Sequence, residues 1–336
     1  MVAQYRRLRP ARVPGGDRVV DRLVNPEQNG TTGAGQPPRL GLRPDPKLIA
    51  AGLRQNWHGT FPKEATLDAS EPALRRLATA IRLRAVAMVA PQGFGYLGQA
   101  LSAAEQYAAV YGAAYRPGID RVVCSPGHYV IAAYAAAAET GLIDGAALAG
   151  YGQNGSSLEA IGTERSPVPE YTCGSLGQGL SAAAGFALGD RLLGRNDART
   201  FAFVSDGELQ EGQVWEAAMF AGHHRLSRLT VLLDANNSQV DGPVDTITTI
   251  EPVAAKWAAF GWDAADLDGH DAAAISAALA AGARAARPQV LICRTSTRHG
   301  LACLPPDADG HFIKLPADLA EAAAAELRAE LAAGHD

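Results

Sequence analysis

The sequence is short of positive charge: 30 Lys and Arg stand against 35 Asp and Glu, for a net charge of −5, with no basic run. A nucleic-acid partner is therefore not expected, because such binding rests on clustered cations that neutralise phosphates. Unbroken apolar stretches are missing too, and none approaches the roughly 20 residues of a membrane-spanning helix. The Ala-rich segment 131–138 is short and reads as helix packing. Cysteine is scarce: Cys124, Cys173, Cys293 and Cys303 lack metal-ligand spacing. Reduced core thiols in a cytoplasmic enzyme are expected rather than a disulfide framework. The N-terminus is Arg-rich but has no apolar core, so no secretory signal is expected there.

What is present is enough chain for one α/β domain with a large core, plus a tail. Residues 1–65 carry Pro10, Pro14, Gly15, Gly16, Gly30, Gly33, Gly35, Pro37 and Pro38 without sustained periodicity, and read as an extended or disordered arm. The α/β domain is expected over 66–336. Residues 72–90 form an amphipathic helix with Leu74, Leu77, Ile81 and Ala85 on one face. Helices are expected at 99–115 and 128–141, with a strand at 122–124 between them. Further along come a helix near 251–260, a strand near 262–266, a helix at 271–286, a strand at 289–295 and a closing helix at 317–333. Alternating strands and helices imply a doubly wound parallel sheet flanked by helices.

The densest information lies in residues 201–243. An apolar strand ends at Ser205-Asp206-Gly207, and Gly207 permits a tight turn. Glu211 to His224 has helical spacing, and Leu229–Leu233 is a second apolar strand, followed by a polar stretch from Asp234 to Gln239. This places Asp206 and Asn236 side by side at the C-terminal edge of neighbouring parallel strands, where α/β sheets bind ligands. Two hard oxygen ligands there suit a cation such as Mg²⁺, which leaves positions free for phosphate oxygens. The same residue types are also the commonest turn formers, for local hydrogen-bonding reasons, and spacing alone does not separate the two readings.

The stretch DGELQEGQVWEAAM with its trailing DGP resembles the thiamine diphosphate motif of the transketolases, and within them the N-terminal subunit of split enzymes. Four further blocks carry the resemblance: SPGHYVIAAYAAAAETG (125–141), GSLGQGLSAAAGFALG (174–189), GWDAADLDGHD (261–271) and GHFIKLPAD (310–318). The resemblance implies the thiamine diphosphate-binding fold in its diphosphate-binding (PP) form. It implies Mg²⁺, or Ca²⁺ or Mn²⁺ in its place, held by Asp206, Asn236 and a backbone carbonyl at Ser238. Gly207 and Glu208 would contact the cofactor. His128 would contact the diphosphate, as imidazole can near neutral pH. Gly174, Ser175 and Leu176 would approach the aminopyrimidine ring. His311 would face cofactor or substrate, and Glu211 and Glu216 would sit at a subunit contact. His223, His224 and His270 are expected to be structural. Trp215, Trp257 and Trp262 are expected in core or interface packing.

Two departures from the family pattern carry information. Where transketolases have Gly-His-Pro-Gly this chain has Gly95-Tyr96-Leu97-Gly98, and where they have Gly-His-Pro before the glycine-rich loop it has Ala160-Ile161-Gly162-Thr163. Tyr96 can donate a hydrogen bond but cannot act as a near-neutral acid or base. Ile161 makes its side of the pocket apolar. The expectation is retained cofactor chemistry on an atypical substrate. The family's activating glutamate belongs to a pyrimidine-binding domain for which this chain is too short. A partner chain carrying that domain and a C-terminal domain is therefore expected, in an α₂β₂ assembly. An E1-like 2-oxoacid decarboxylase or carboligase subunit, and a non-catalytic homologue, are the alternatives.

Overall fold

The computed structural model describes residues 69–334; the arm expected at 1–65 lies outside them. In chain order the elements are α1 (Glu71–Val89), β1 (Phe94–Gly95), α2 (Leu97–Ala109), β2 (Arg121–Pro126), α3 (Val130–Glu139), β3 (Tyr171–Cys173), α4 (Gly179–Leu192), β4 (Thr200–Ser205) and α5 (Gly212–His223). They continue with β5 (Leu229–Ala235), α6 (Val244–Ile247), α7 (Val253–Ala259), β6 (Asp263–Asp268), α8 (Ala272–Gly282), β7 (Gln289–Arg294), β8 (Ile313–Lys314) and α9 (Ala317–Ala333). Six strands form one sheet in the order β3-β2-β4-β5-β7-β6, every pair parallel. This is the expected α/β sheet flanked by helices.

The alternation of side chains along each strand explains the two flanking layers. Phe201, Phe203, Leu232, Leu291 and Cys293 face one core, which they share with α1, α2, α3 and α9. Their neighbours Ala202, Val204, Val231, Leu233, Val290 and Ile292 face a second core, shared with α4, α5 and α7. Helix α1 buries Leu74, Ala78, Ile81 and Ala85. The expected Leu77 lies at the edge of that face, and Ala78 takes its place. Trp257 and Trp262 are core residues of the second layer, their rings 4.7 Å apart.

Three differences from the expectation matter. The helix expected at 99–115 begins at Leu97 and gives way to a wider helical turn over Val110–Ala114. Strand β5 runs on past Leu233 to Ala235, so Asp234 belongs to the strand and is buried. Strand β3 and the antiparallel β1–β8 pair were not expected. The first has three residues, and the second joins Gly95 to Ile313; neither leaves a periodic trace. No helix among the described residues is long and apolar enough to cross a membrane.

Candidate cofactor-binding site

Strands β4 and β5 run in register, Ser205 beside Asp234, so the chain leaves both strands at one level. Asp206 N–H donates to the Asp234 carbonyl at 3.1 Å. The Asp206 side chain is 3% exposed and accepts from Gly207 N–H at 2.8 Å and from Asn237 N–H at 2.5 Å. Asn237 takes a left-handed conformation, φ 55°, which asparagine tolerates better than most residues. That turn curls the chain over Asp206. Asn236 donates through Nδ2 to Asp234 Oδ2 at 2.7 Å and to Tyr129 Oη at 3.0 Å. Its Oδ1 accepts from Ser238 N–H at 2.9 Å. Asp206, Asn236 and Ser238 are thus brought together as expected.

Asp234, which the sequence did not point to, organises this edge. Its carboxylate accepts from Ser102 Oγ at 2.6 Å, Gln106 Nε2 at 3.2 Å and Tyr129 Oη at 2.8 Å. It also accepts from Thr295 Oγ1 and from Asn236. Because Asn236 gives its amide hydrogens to this group, its oxygen is turned the other way. An outer carboxylate that orients an inner ligand is a recurrent device at metal sites.

The three side chains expected to face cofactor or substrate, Tyr96, His128 and His311, converge. Tyr96, the residue before α2, has its ring 5.1 Å from His128 and 5.8 Å from His311, and the two imidazoles are 5.0 Å apart. Phe312 closes the group at 5.1 Å from Tyr96. Burial pushes His128 down to about 3, with His311 adding to the shift. Burial lowers His311 as well. Both shifts favour the neutral ring, which offers hydrogen bonds rather than charge. A Cβ on Gly98 would lie 1.9 Å from the Gly310 carbonyl. Only glycine there lets α2 rest on the backbone beside His311.

The glycine-rich loop leaves Gly174, Ser175 and Leu176 exposed, open to a ligand. Ile161 is 43% exposed and lies over Gly127 and Gly174, whose added Cβ atoms would meet its Cγ2 at 3.0 and 3.4 Å. The departure from the family pattern therefore faces the site. Glu208 is different: it is fully buried, and its Oε1 accepts from Ser125 Oγ at 2.5 Å and Gly177 N–H at 2.6 Å. It braces the turn before His128 against the glycine-rich loop from beneath. Glu211 and Glu216 are exposed, as are Met219 and Phe220 of α5.

A divalent cation suits this edge. Each oxygen of Asp206, and Oδ1 of Asn236, has one backbone donor and a lone pair to spare. Among the described residues no Lys, Arg or His hydrogen-bonds to Asp206 or Asp234. Burial and the neighbouring Asp234 push Asp206 up to about 7, the condition of a carboxylate that lacks a counter-charge. A second cluster, Glu105, His270 and His299, brings its ligand atoms within 4.8 Å of one another, but its ligands are already engaged. Arg82 pairs with Glu105 at 2.6 Å. His270 accepts from Ser296 N–H at Nε2, 2.9 Å, which leaves its Nδ1 to donate to Glu105 at 3.2 Å. Arg82 supplies the charge that a metal would, and His270 is held between Ser296 and Glu105.

The raised carboxyl groups have a consequence for stability. Asp206 titrates near 3.8 when unfolded and near 7 when folded. Glu170 and Glu208 move from 4.5 to about 7, burial again being the main cause. In that window the folded chain holds protons that the unfolded chain has lost, so stability falls as pH rises through it. The lowered His128, His299 and His311 oppose this below about pH 6.5, where only the unfolded chain protonates them, so the melting temperature of the cofactor-free chain is expected to drop mainly between about pH 6 and about pH 8. Thermal melts across that range check this; a melting temperature that climbs would contradict it.

Parallel strands ending in Asp206 and Asn236, a glycine-rich loop and the His128 and His311 imidazoles thus lie at one edge of the sheet. Residues 74–333 match the family model for the thiamine diphosphate binding domain of transketolase, and the chain belongs to the transketolase family. It is similar to an uncharacterised transketolase family protein of Sinorhizobium fredii, 39% identical over 74% of this chain and 94% of that one. It is also similar to the 6-deoxy-6-sulfo-D-fructose transketolase subunit of a Clostridium species, 35% identical over 76% of this chain and 97% of that subunit. Among solved structures, the transketolase of Campylobacter jejuni matches with a TM-score of 0.67 at 25% identity, over 76% of this chain and 42% of its own. The Pichia stipitis enzyme solved with sedoheptulose 7-phosphate matches with a TM-score of 0.68 at 27% identity, over 78% of this chain and 41% of its own. The match thus spans nearly all of the two short relatives and well under half of the full-length enzymes.

Proposed function

We propose that this chain is the thiamine-diphosphate- and magnesium-binding subunit of a two-component transketolase-like enzyme of the cytoplasm. It transfers a two-carbon ketol unit to an atypical acceptor. The observation that carries this reading is the Asp206–Asn236 pair at the edge of β4 and β5, its amide oriented by Asp234. The near-complete coverage of the short relatives supports a separate partner chain bearing the pyrimidine-binding domain and its activating glutamate, in an α₂β₂ assembly. Residues 66–336 form the cofactor domain, preceded by an arm at 1–65.

When bound, thiamine diphosphate supplies the nucleophilic carbon at which the two-carbon unit is carried. The chain's own residues bind and orient. Asp206, Asn236 and the Ser238 carbonyl would hold Mg²⁺, which would supply positive charge for a diphosphate. His128 donates a hydrogen bond to a diphosphate oxygen. Gly174 to Leu176 line the aminopyrimidine, and Glu208 holds that loop against Ser125. Tyr96 Oη and His311 face the substrate, offering hydrogen bonds without a charged acid. Ile161 and Phe312 present apolar surface and exclude water there.

The test is activity of the chain co-purified with the product of its adjacent gene, given thiamine diphosphate, Mg²⁺ and a panel of ketoses, hydroxypyruvate and 2-oxoacids. Two-carbon transfer from a ketose or hydroxypyruvate, absent for either chain alone, is expected. Turnover confined to 2-oxoacids would move the assignment to an E1-like subunit. No turnover and no cofactor binding would leave a non-catalytic homologue.

A further inference from the structure

One amide nitrogen meets one histidine twice, at its backbone and at its ring. Gln99, on the first turn of α2, is 1% exposed. Its Nε2 donates to the backbone carbonyl of His311 at 3.0 Å and lies 3.2 Å from the ring Nδ1 of the same residue. A carbonyl oxygen only accepts, so the amide atom facing it is the nitrogen. The other orientation would set two oxygens against each other. The amide's second hydrogen then points at Nδ1, which must offer a lone pair. A hydrogen on Nδ1, whether in the neutral ring or in the imidazolium, would place two donors head to head. The neutral ring's hydrogen is left for Nε2, because the partner of one ring nitrogen decides the state of the other.

The surroundings hold this arrangement in place. The close packing of Gly98 on the Gly310 carbonyl sets α2 directly against the backbone beside His311. Asp309 Oδ1 accepts from His311 N–H at 2.8 Å and fixes the turn. The ring is flanked by Tyr96 and His128. Gln99 Oε1 has no partner and is buried, so the amide keeps its orientation at the expense of its own oxygen.

We infer that Gln99 is a positioning residue that fixes His311 in the neutral tautomer with its hydrogen on Nε2, so that the ring presents a donor to the site. The consequence for turnover rests on the function proposed above; the tautomer does not, and it can be read without any cofactor.

The experiment is ¹⁵N NMR of the full chain labelled at histidine, with the His311 ring signals assigned by their loss in His311→Gln. At pH 7 the wild-type ring is expected to show a bare Nδ1 and a hydrogen-bearing Nε2. In Gln99→Glu the carboxylate can only accept, so a hydrogen is expected to appear on Nδ1. In Gln99→Leu the constraint is gone, and the two nitrogens should move toward an averaged pattern. Should the glutamate variant fail to fold, the wild-type and leucine spectra decide. A hydrogen on Nδ1 in the wild type, or a ring pattern unchanged in both variants, would overturn the inference. The expected tautomer in an assembly without two-carbon transfer would remove the proposed function and leave this inference standing.

Discussion

Alanine at position 206 is expected to lower cofactor-dependent turnover of the reconstituted enzyme by at least about 100-fold while the chain stays folded. Loss of a group that merely orients a metal ligand typically costs 10- to 100-fold, and Asp206 is placed to be a ligand itself. Two opposing effects hold stability near its starting point. The variant loses acceptors for Gly207 and Asn237 N–H, each worth about 1 kcal/mol net. It also loses a carboxyl group whose ionisation the fold opposes, since burial and Asp234 push it up to about 7. A melting temperature within a few degrees of wild type, with activity gone and not restored by excess thiamine diphosphate, is the expected pattern. Turnover within a factor of a few of wild type would mean that the strand edge holds no metal.

Asp234→Ala is expected to have the opposite signature, a large loss of stability together with the loss of activity. Five side chains donate to this carboxylate, from Ser102, Gln106, Tyr129, Asn236 and Thr295. Removing it strands buried donors, and an unsatisfied buried group costs about 1–3 kcal/mol. The cost of burying the Asp234 charge, which pushes its carboxyl up, offsets part of this, so a net loss of about 3–5 kcal/mol is expected. For a domain of this size that is a fall in melting temperature on the order of 10 °C. Because the Asn236 amide is then free to turn, Mg²⁺ affinity should fall as well. Denaturant titration and cofactor binding on the same sample separate the two effects. Unchanged stability would show that the hub is dispensable.

The contrast between these residues shows what could be read from the sequence. Asp206 and Asn236 end apolar runs, and a change from apolar to polar at a strand terminus is a local signal. His128 and the glycine-rich loop sit in contiguous blocks. Tyr96 and Ile161 stood out because they break a pattern, and the structure places both at the site. Asp234 left no such trace. It was taken as the start of the polar segment after β5, whereas it is the sixth residue of that strand, and its partner Ser102 lies 132 positions away. Gln99 reads as one helix residue among others until the fold brings it to His311, 212 positions on. Glu208 was legible as part of the motif but not in its direction, which depends on Ser125 and Gly177 lying beneath the loop. Contacts that cross the sheet have no period, so the residues at the strand ends and in the loops are legible in the sequence and those packed behind them are not.

The most direct test of the central claim is a titration of thiamine diphosphate into the assembled two-chain enzyme, with Mg²⁺ present and after its removal by a chelator. The predicted result is saturable binding of one cofactor per copy of this chain, lost without the metal and regained on its return. Equal affinity with and without metal, or full binding by the partner chain alone, would contradict the assignment of the diphosphate site to Asp206, Asn236 and Ser238.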